Sequence, residues 1–341
     1  MTGQPGPYVA ELGELELLRR LQPYLDREAP GLLVGAGDDA AVWRSGGSGD
    51  IVVTTDSLVE GVHFHPCPGD SEFYTSLGWK LLAVSLSDLA AMGAEPGPAV
   101  VALSLPGGWL AADVESLYQG LAQCAREHGA TLAGGNLSGA PAAVLTSTCL
   151  GSVAPGRALR RQGAEPGWRL ACTGSVGGAT AALRLRQDRG AGAPMTVPEA
   201  TQAAWMRRWR RPEPRLGAGR ALVEEGLGVC LDISDGLYLD AARLLRDGLG
   251  AVIEPGLLPI DAGVRAAFPD AWIDVAGGGE DYELLFAGPP DKVENACRRV
   301  VAGGLSATVI GTLDSGTGVR LREADGGETR APASGHVHFA L

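Results

Sequence analysis

Residues 51–64 (IVVTTDSLVEGVHF) constrain the possible fold more than any other stretch of this chain. They begin as an apolar, β-branched run typical of a buried strand and then reach two hydroxyls and a carboxylate, Thr54, Thr55 and Asp56. In open α/β folds, ligands bind where strands end, because polar groups there face solvent. The stretch therefore predicts a strand that ends at a binding site, and a strand followed by an Asx-type turn is the alternative.

The alternation of predicted strands and helices indicates an α/β protein. A chain of 341 residues is long for one hydrophobic core, so we expect two domains. Pro155 and Gly156 follow a predicted strand over residues 142–154, and we place the boundary there, which gives an N-terminal domain 1–155 and a C-terminal domain 156–341. There is no run of eighteen apolar residues and no basic segment followed by an apolar one at the start, so we expect a cytoplasmic protein without membrane contact.

The charge balance excludes one class of partner. A net charge of −12 argues against nucleic acid, because the chain lacks the basic excess that would replace counterions on its backbone. It does not argue against phosphate ligands, since Mg²⁺ can lie between carboxylates and phosphates. His63, His65 and Cys67 alternate like zinc ligands but lack a fourth ligand at suitable spacing, and the six cysteines form no CxxC pair.

Further carboxylates stand in short polar motifs along the chain. Asp38 and Asp39 close a glycine-rich turn, and Asp88 interrupts an apolar helix predicted over residues 71–92. Asp232 and Asp235 belong to a strand followed by Ser-Asp-Gly, and another glycine-rich turn carries Glu280. Solvation or ordinary salt bridges are the alternative interpretation of each motif taken alone. A carboxylate in an apolar helix requires a partner or a metal. Lys80 is two helical turns from Asp88, which is too far for an i, i+4 salt bridge.

Taken together, these motifs indicate metal-dependent phosphate chemistry. Carboxylates without neighbouring histidine or thiol ligands suit hard cations, above all Mg²⁺. The sequence contains no P-loop, nucleophile elbow, HExxH motif or protein-kinase signature, and GAGDDA lacks the last glycine of a dinucleotide fingerprint.

Six motifs in the same order resemble the thiamine-monophosphate kinase family, which belongs with aminoimidazole ribonucleotide synthetase and selenophosphate synthetase. They are GDDAAV at 37–42, TTDSLVEGVHF at 54–64, KLLAVSLSDLAAMGAEP at 80–96, GRALRRQGAEPG at 156–167, LDISDGL at 231–237 and GGEDYELLF at 278–286. The resemblance covers nearly the whole chain. It implies an N-terminal α/β domain that dimerises through its sheet to form a homodimer, a C-terminal α/β domain, and an ATP site in the cleft between them.

The resemblance also implies roles for individual residues. Several Mg²⁺ ions would bind at Asp39, Asp56, Asp88, Asp232 and Asp235, with Thr54, Thr55 and Asn136 close by. Of these, Asp56, Asp88 and Asp235 would be catalytic. The positions that match ATP contacts are Gly135, Asn136, Arg161 and Ser234, and those that match the thiamine monophosphate site are His63, Glu280 and Phe339.

The implied reaction is chemically consistent with these residues. A phosphate monoester is largely dianionic at neutral pH, so it can attack ATP without a protein base. Positioning and charge neutralisation are then the main requirements, and we expect direct in-line transfer without a phospho-enzyme.

One position departs from the family pattern. The family usually has aspartate where this chain has Asn136, which keeps a carbonyl oxygen for Mg²⁺ but removes one charge. Two alternatives therefore remain open: an ATP-dependent synthetase of the same superfamily, and a nucleotide-binding protein that has lost catalysis. Residues 1–30 contain no cysteine, which a selenophosphate synthetase would need there.

Overall fold

The computed structural model describes residues 31–335 apart from 36, 45, 48 and 188–196, together with the single positions 16 and 19. In this part of the chain, the strands form two separate sheets. The first contains β1 (Leu32–Val34), β2 (Ala41–Arg44), β3 (Asp50–Val59), β4 (Glu95–Leu105), β5 (Thr131–Gly139) and β6 (Val144–Val153). The second contains β7 (Arg169–Thr173), β8 (Val229–Asp232), β9 (Gly250–Ile253), β10 (Leu284–Gly288), β11 (Ala307–Asp314), β12 (Gly318–Arg322) and β13 (Glu328–Arg330).

The first sheet has the strand order β1-β2-β3-β6-β4-β5, with β4 and β5 parallel and the other neighbours antiparallel. Two helices accompany it, α1 (Ser71–Ala91) and α2 (Ala111–His128). Buried residues lie on every side of α1, as its largely apolar sequence predicts. Asp70 caps its N-terminus by accepting a hydrogen bond from the Phe73 N–H at 2.9 Å.

Two glycines allow α1 and α2 to pack with their backbones in contact. A Cβ atom on Gly78 would lie 1.9 Å from the Leu117 carbonyl oxygen, and one on Gly120 would lie 1.8 Å from that of Thr75. No larger residue fits at either position. This close approach fixes α1 against the sheet, and with it Lys80 and Asp88.

The second sheet has the order β13-β12-β9-β11-β7-β10-β8 and is antiparallel apart from the β9–β12 pair. The helices of this half are α3 (Gly178–Gln187), α4 (Glu199–Arg210), α5 (Leu216–Glu224), α6 (Leu237–Arg243), α7 (Ala262–Ala267), α8 (Trp272–Ala276) and α9 (Pro290–Ala302). Residues of α1, α5, α9 and the second sheet share one apolar core with the first sheet. The two halves are therefore joined through α1. Among the described helices, none is long and apolar enough to cross a membrane.

The structure corrects the prediction that a strand ends at Thr54–Asp56. Strand β3 continues through these residues to Val59, because its antiparallel pairing with β6 extends as far as Val59 opposite Val144. Thr54 and Asp56 point toward α1, and Thr55 points to the other face of the sheet. Gly134–Asn136 lie within β5.

One face of the first sheet is open to solvent in the described part of the chain. Thr55 and Ser57 on β3 are exposed there, and Val100 on β4 is 41% exposed. Asn136 on β5 is opposite Ala102 and is also exposed.

Candidate active site

Three aspartates that are far apart in sequence come together between the two sheets. Asp39 follows β1, Asp88 lies on α1, and Asp232 is the last residue of β8. Their carboxylate oxygens all lie within 4.8 Å of one another. This arrangement could hold a metal ion, because hard divalent cations are bound by clustered carboxylate oxygens.

Hydroxyl groups and a fourth aspartate surround this cluster. Thr54 donates a hydrogen bond to Asp88, and Ser87 donates one to Asp232 at 2.6 Å. Asp56 on β3 shares a hydrogen bond with Asp88. Strand β3 thus places two side chains, Thr54 and Asp56, against the same carboxyl group on α1.

The electrostatics of the cluster favour cation binding. Burial raises the pKa of Asp88 well above its usual range, and the neighbouring charges of Asp56 and Asp232 raise it further. Burial also raises the pKa of Asp232, and the charge of Asp39 adds to the shift. The Asp39 Oδ2 atom is buried and has no hydrogen-bond partner among the described residues. These oxygens fit Mg²⁺, which would compensate the crowded negative charge.

Two arginines lie at the rim of the cluster. Arg161 donates from Nη2 to Asp39 Oδ1 at 2.7 Å, and its backbone N–H points to the Asp38 carboxylate at 3.1 Å. Arg243 donates a hydrogen bond to Asp235 and a second to Asp240. Arg161 was predicted as an ATP contact, whereas Arg243, the last residue of α6, was not predicted as a site residue.

A cleft of about 880 Å³ opens beside the cluster and contains most of the predicted site residues. Its lining includes a group of acidic residues with one serine (Asp56, Asp88, Asp232, Ser234 and Asp235) and a second group around Glu280 (His63, Trp209, Glu280 and Tyr282). The cleft is therefore bounded by residues from both halves of the chain.

Glu280, in the second group of cleft residues, forms a buried ion pair with Lys80. Lys80 Nζ lies 2.5 Å from Glu280 Oε1, and Trp209 Nε1 donates to Glu280 Oε2 at 2.5 Å. Burial opposes ionisation of Glu280, but Lys80 and these hydrogen bonds outweigh it and lower the pKa of Glu280 below its usual value. Its partners Lys80 and Trp209 also line a smaller, partly apolar pocket with Phe64, Phe73 and Leu77.

Lys80 and Trp209 were not predicted as site residues. The available signal for Lys80 was a lysine within an apolar helix in a chain with only two lysines. Trp209 belongs to the tryptophan- and arginine-rich helix α4, where its indole lies beside Lys80 Nζ and the Arg186 guanidinium, at 5.0 Å and 4.6 Å from the ring centroid.

The loop that carries Glu280 has an unusual backbone. Glu280 and Tyr282 have positive φ angles of 70° and 51°, which non-glycine residues adopt rarely. The Glu280 N–H donates to the Ser234 carbonyl at 2.7 Å, and the Tyr282 N–H donates to that of Ile233 at 2.9 Å. These bonds hold the loop against the segment that bears Asp232 and Asp235.

His63 lies at the mouth of the cleft and is oriented by the backbone. The Val59 N–H donates to His63 Nδ1 at 3.0 Å, so the neutral imidazole carries its proton on Nε2. His65 and Cys67, which alternate with His63 in the sequence, are exposed, and neither belongs to a potential metal cluster among the described residues.

The structure does not bring every predicted residue to the acidic cluster. Thr55 points away from it and bonds the Ser147 carbonyl at 3.1 Å and Thr148 Oγ1 at 3.0 Å. Gly135 and Asn136 lie on β5, at the edge of the sheet, with β6 and β4 between them and β3. Phe339 lies outside the described residues. Metal or ATP contacts of Thr55, Gly135 and Asn136 stay predictions.

Comparison with known proteins gives consistent results. Residues 37–153 match the family described as AIR synthase related protein, N-terminal domain. A thiamine-monophosphate kinase of Synechococcus elongatus is 34% identical over 342 residues, which cover 97% of this chain and 98% of that protein.

Solved structures agree with the sequence matches. AaThiL complexed with AMPPCP and TMP has a TM-score of 0.82 and 28% identity, covering 98% of this chain and 100% of that one. A thiamine-monophosphate kinase from Stenotrophomonas maltophilia K279a has a TM-score of 0.73 and 34% identity, covering 93% and 96%. The two-sheet α/β architecture is therefore that of these kinases.

Proposed function

Because this chain belongs to the thiamine-monophosphate kinase family, we propose that it transfers the γ-phosphoryl group of ATP to thiamine monophosphate. The products are ADP and thiamine diphosphate, and the reaction would be the last step in the synthesis of that cofactor. The observation that carries the proposal is the cleft itself, which has clustered aspartates on one side and an ionised Glu280 on the other.

The aspartate side suits the polyphosphate of ATP with Mg²⁺. Asp39, Asp56, Asp88, Asp232 and Asp235 are the residues that would hold several ions, with Thr54 orienting Asp88. When bound, Mg²⁺ supplies the positive charge that allows two phosphate groups to approach each other. Ser234 lines the cleft and Arg161 bonds to Asp39, and both would contact the nucleotide.

The opposite side suits the acceptor. Thiamine carries a positively charged thiazolium ring, and Glu280 is a carboxylate of low pKa with Trp209 beside it. His63 presents Nε2–H at the mouth of the cleft and can donate to an acceptor phosphate oxygen. The acceptor phosphate is itself the nucleophile, so the protein has to orient and screen the two substrates, and the transfer is direct and in-line.

We also propose a homodimer formed through the open face of the first sheet. Thr55, Ser57 and Val100 are exposed on that face, and Asn136 lies on it, far from the aspartates of its own chain. A second copy covering this face would bury the exposed Val100. Val100→Asp should then shift the mass measured by light scattering from dimer to monomer, and an unchanged mass would contradict this interface.

The domain boundary at residues 155 and 156 fits the same proposal. Each side of the cleft draws on both halves, since Asp88 on α1 meets Asp232 on β8, and Lys80 on α1 meets Glu280. Substrates would therefore bind between domains 1–155 and 156–341.

Incubation of the protein with ATP, Mg²⁺ and thiamine monophosphate tests the activity, with thiamine diphosphate detected by chromatography. We expect product only when all three are present. ADP release should depend on thiamine monophosphate, and no label from γ-labelled ATP should remain on the protein. ATP binding without stimulated ADP release would instead favour the non-catalytic alternative that Asn136 raises.

A further inference from the structure

Two arginines form salt bridges with carboxylates that are predicted metal ligands. Arg161 is bonded to Asp39, and Arg243 is bonded to Asp235. The charge of Arg243 also acts on Asp39, so the two guanidinium groups are close to the same part of the acidic cluster. Arg161 matches a position that contacts ATP, whereas nothing so far explains Arg243.

Arg243 is fixed at one end and accessible at the other. Its Nη1 atom donates to Asp240 Oδ1 at 2.6 Å, and the Asp240 side chain is fully buried. The other carboxylate oxygen of Asp240 accepts the N–H groups of Asp235 and Gly236 at 3.1 Å and 2.9 Å. The Nη2 atom of Arg243 donates to Asp235 at the cleft, and 35% of the arginine side chain is exposed.

We propose that Arg243 binds a phosphate group of the nucleotide and that Asp240 is the residue that positions it. This inference rests on the proposed function and adds a second guanidinium to the nucleotide site. Its ligand is the polyphosphate of a nucleoside triphosphate.

The physical reason lies in the two ends of the guanidinium. If a divalent cation bound Asp235, the hydrogen bond from Arg243 Nη2 to Asp235 would weaken, and Asp235 is the only acceptor described for Nη2 at the cleft. Nη1 would stay bonded to Asp240. A guanidinium left without an acceptor near a cation is unfavourable, and a phosphate oxygen supplies the complementary charge. The fixed Asp240 contact also reduces the side-chain entropy that phosphate binding would otherwise cost.

A different role for Arg243 makes the opposite prediction. If Arg243 only neutralises Asp235 before metal binding, its removal would free a carboxylate. The affinity for Mg²⁺ would then increase, and the affinity for the nucleotide would stay the same or increase.

Calorimetric titration with Mg²⁺ and AMPPCP, a non-hydrolysable ATP analogue, separates these roles. We expect Arg243→Gln to weaken binding of Mg·AMPPCP about tenfold or more, which is the loss of one charge-assisted hydrogen bond. Binding of thiamine monophosphate should change less than twofold. Arg243→Lys should restore part of the affinity, and Asp240→Asn should weaken it by an intermediate factor because the anchor is lost.

Arg220→Gln is the matched control, since Arg220 is a surface arginine paired with Glu95 away from the cleft. It should bind Mg·AMPPCP like the unchanged protein. Nucleotide affinity of Arg243→Gln within twofold of that protein, or tighter, would overturn the inference, as would a failure of the unchanged protein to bind Mg·AMPPCP. If binding depends on Arg243 but no thiamine diphosphate forms, the inference is supported and only the proposed function fails.

Discussion

Lys80 and Glu280 form an ion pair beside the cleft, with Nζ 2.5 Å from Oε1 although 200 residues separate them in the chain. The lysine comes from a helix that packs on the first sheet, and the glutamate comes from a strained loop of the second half. Only 7% of the lysine side chain and 24% of the glutamate side chain are exposed. The pair therefore links the two halves of the protein at the acceptor side of the cleft.

Removal of Lys80 should destabilise the protein. Lys80→Met leaves the Glu280 carboxylate with little solvent and no cation, a change that costs about 2–3 kcal/mol for a partly exposed pair. The double variant Lys80→Met/Glu280→Gln should recover at least half of this loss, because no unpaired charge remains. Urea unfolding of the unchanged protein and the variants measures the effect. A double variant no more stable than Lys80→Met would show that packing, and not charge, dominates at this position.

Substitution of Asp88 should separate stability from activity. Asp88→Asn removes a carboxyl group whose ionisation is opposed by burial and by the charges of Asp56 and Asp232. The thermal midpoint without Mg²⁺ should therefore rise by about 2 °C or more. Turnover should fall by at least about a thousandfold, because one carboxylate of the proposed metal site is lost.

Asp56→Asn should abolish turnover for the same reason. Asp247 is exposed, so Asp247→Asn serves as the control and should change neither turnover nor the thermal midpoint. A metal-free Asp88→Asn protein that is less stable than the unchanged one would contradict the repulsion argument.

Asn136 tests whether the missing family aspartate matters. Asn136 lies on β5, away from the acidic cluster of its own chain, and keeps an oxygen that can face Mg²⁺. We expect Asn136→Asp to change turnover by less than about tenfold, since the other carboxylates are in place. Steady-state rates at several Mg²⁺ concentrations measure this. A gain of several orders of magnitude would mean that the natural protein is an impaired kinase.

Asp281 should make stability depend on pH. Burial raises the pKa of Asp281 to about 7, against hydrogen bonds from the Gly177 and Ala179 N–H groups. The folded protein therefore keeps this proton up to higher pH than the unfolded chain, which releases it near pH 4. Unfolding releases a proton between these values, so this group lowers the free energy of unfolding as pH rises from about 4 to 7.

Asp281→Asn removes the titrating group and should make that decline shallower by up to about 1.4 kcal/mol per pH unit. Urea unfolding at half-unit pH steps measures the slope. The exposed Asp270→Asn is the matched control and should retain the original slope. Equal slopes for Asp281→Asn and the unchanged protein would contradict the assignment.

Several elements could be predicted from local sequence because their cause is local. Helix α1 covers Ser71–Ala91 and strand β6 covers Val144–Val153, close to the helix predicted over residues 71–92 and the strand predicted over residues 142–154. The two-domain α/β class and the family also followed from motifs in the sequence. By contrast, the predicted end of β3 was wrong by several residues. A strand continues wherever a neighbouring strand offers hydrogen bonds, and polar side chains do not prevent this.

The sequence by itself determined which chemical groups the chain can offer: several aspartates in short polar motifs, few histidines and one lysine in an apolar helix. Only the tertiary structure decided which of them meet. Asp39, Asp88 and Asp232 converge, Lys80 pairs with Glu280 and not with Asp88, and Arg161 bonds to Asp39. Local patterns act over one or two turns of helix or a few residues of strand. Contacts across 50 to 200 residues instead depend on how α1 packs between the two sheets, and that packing is a property of the whole core.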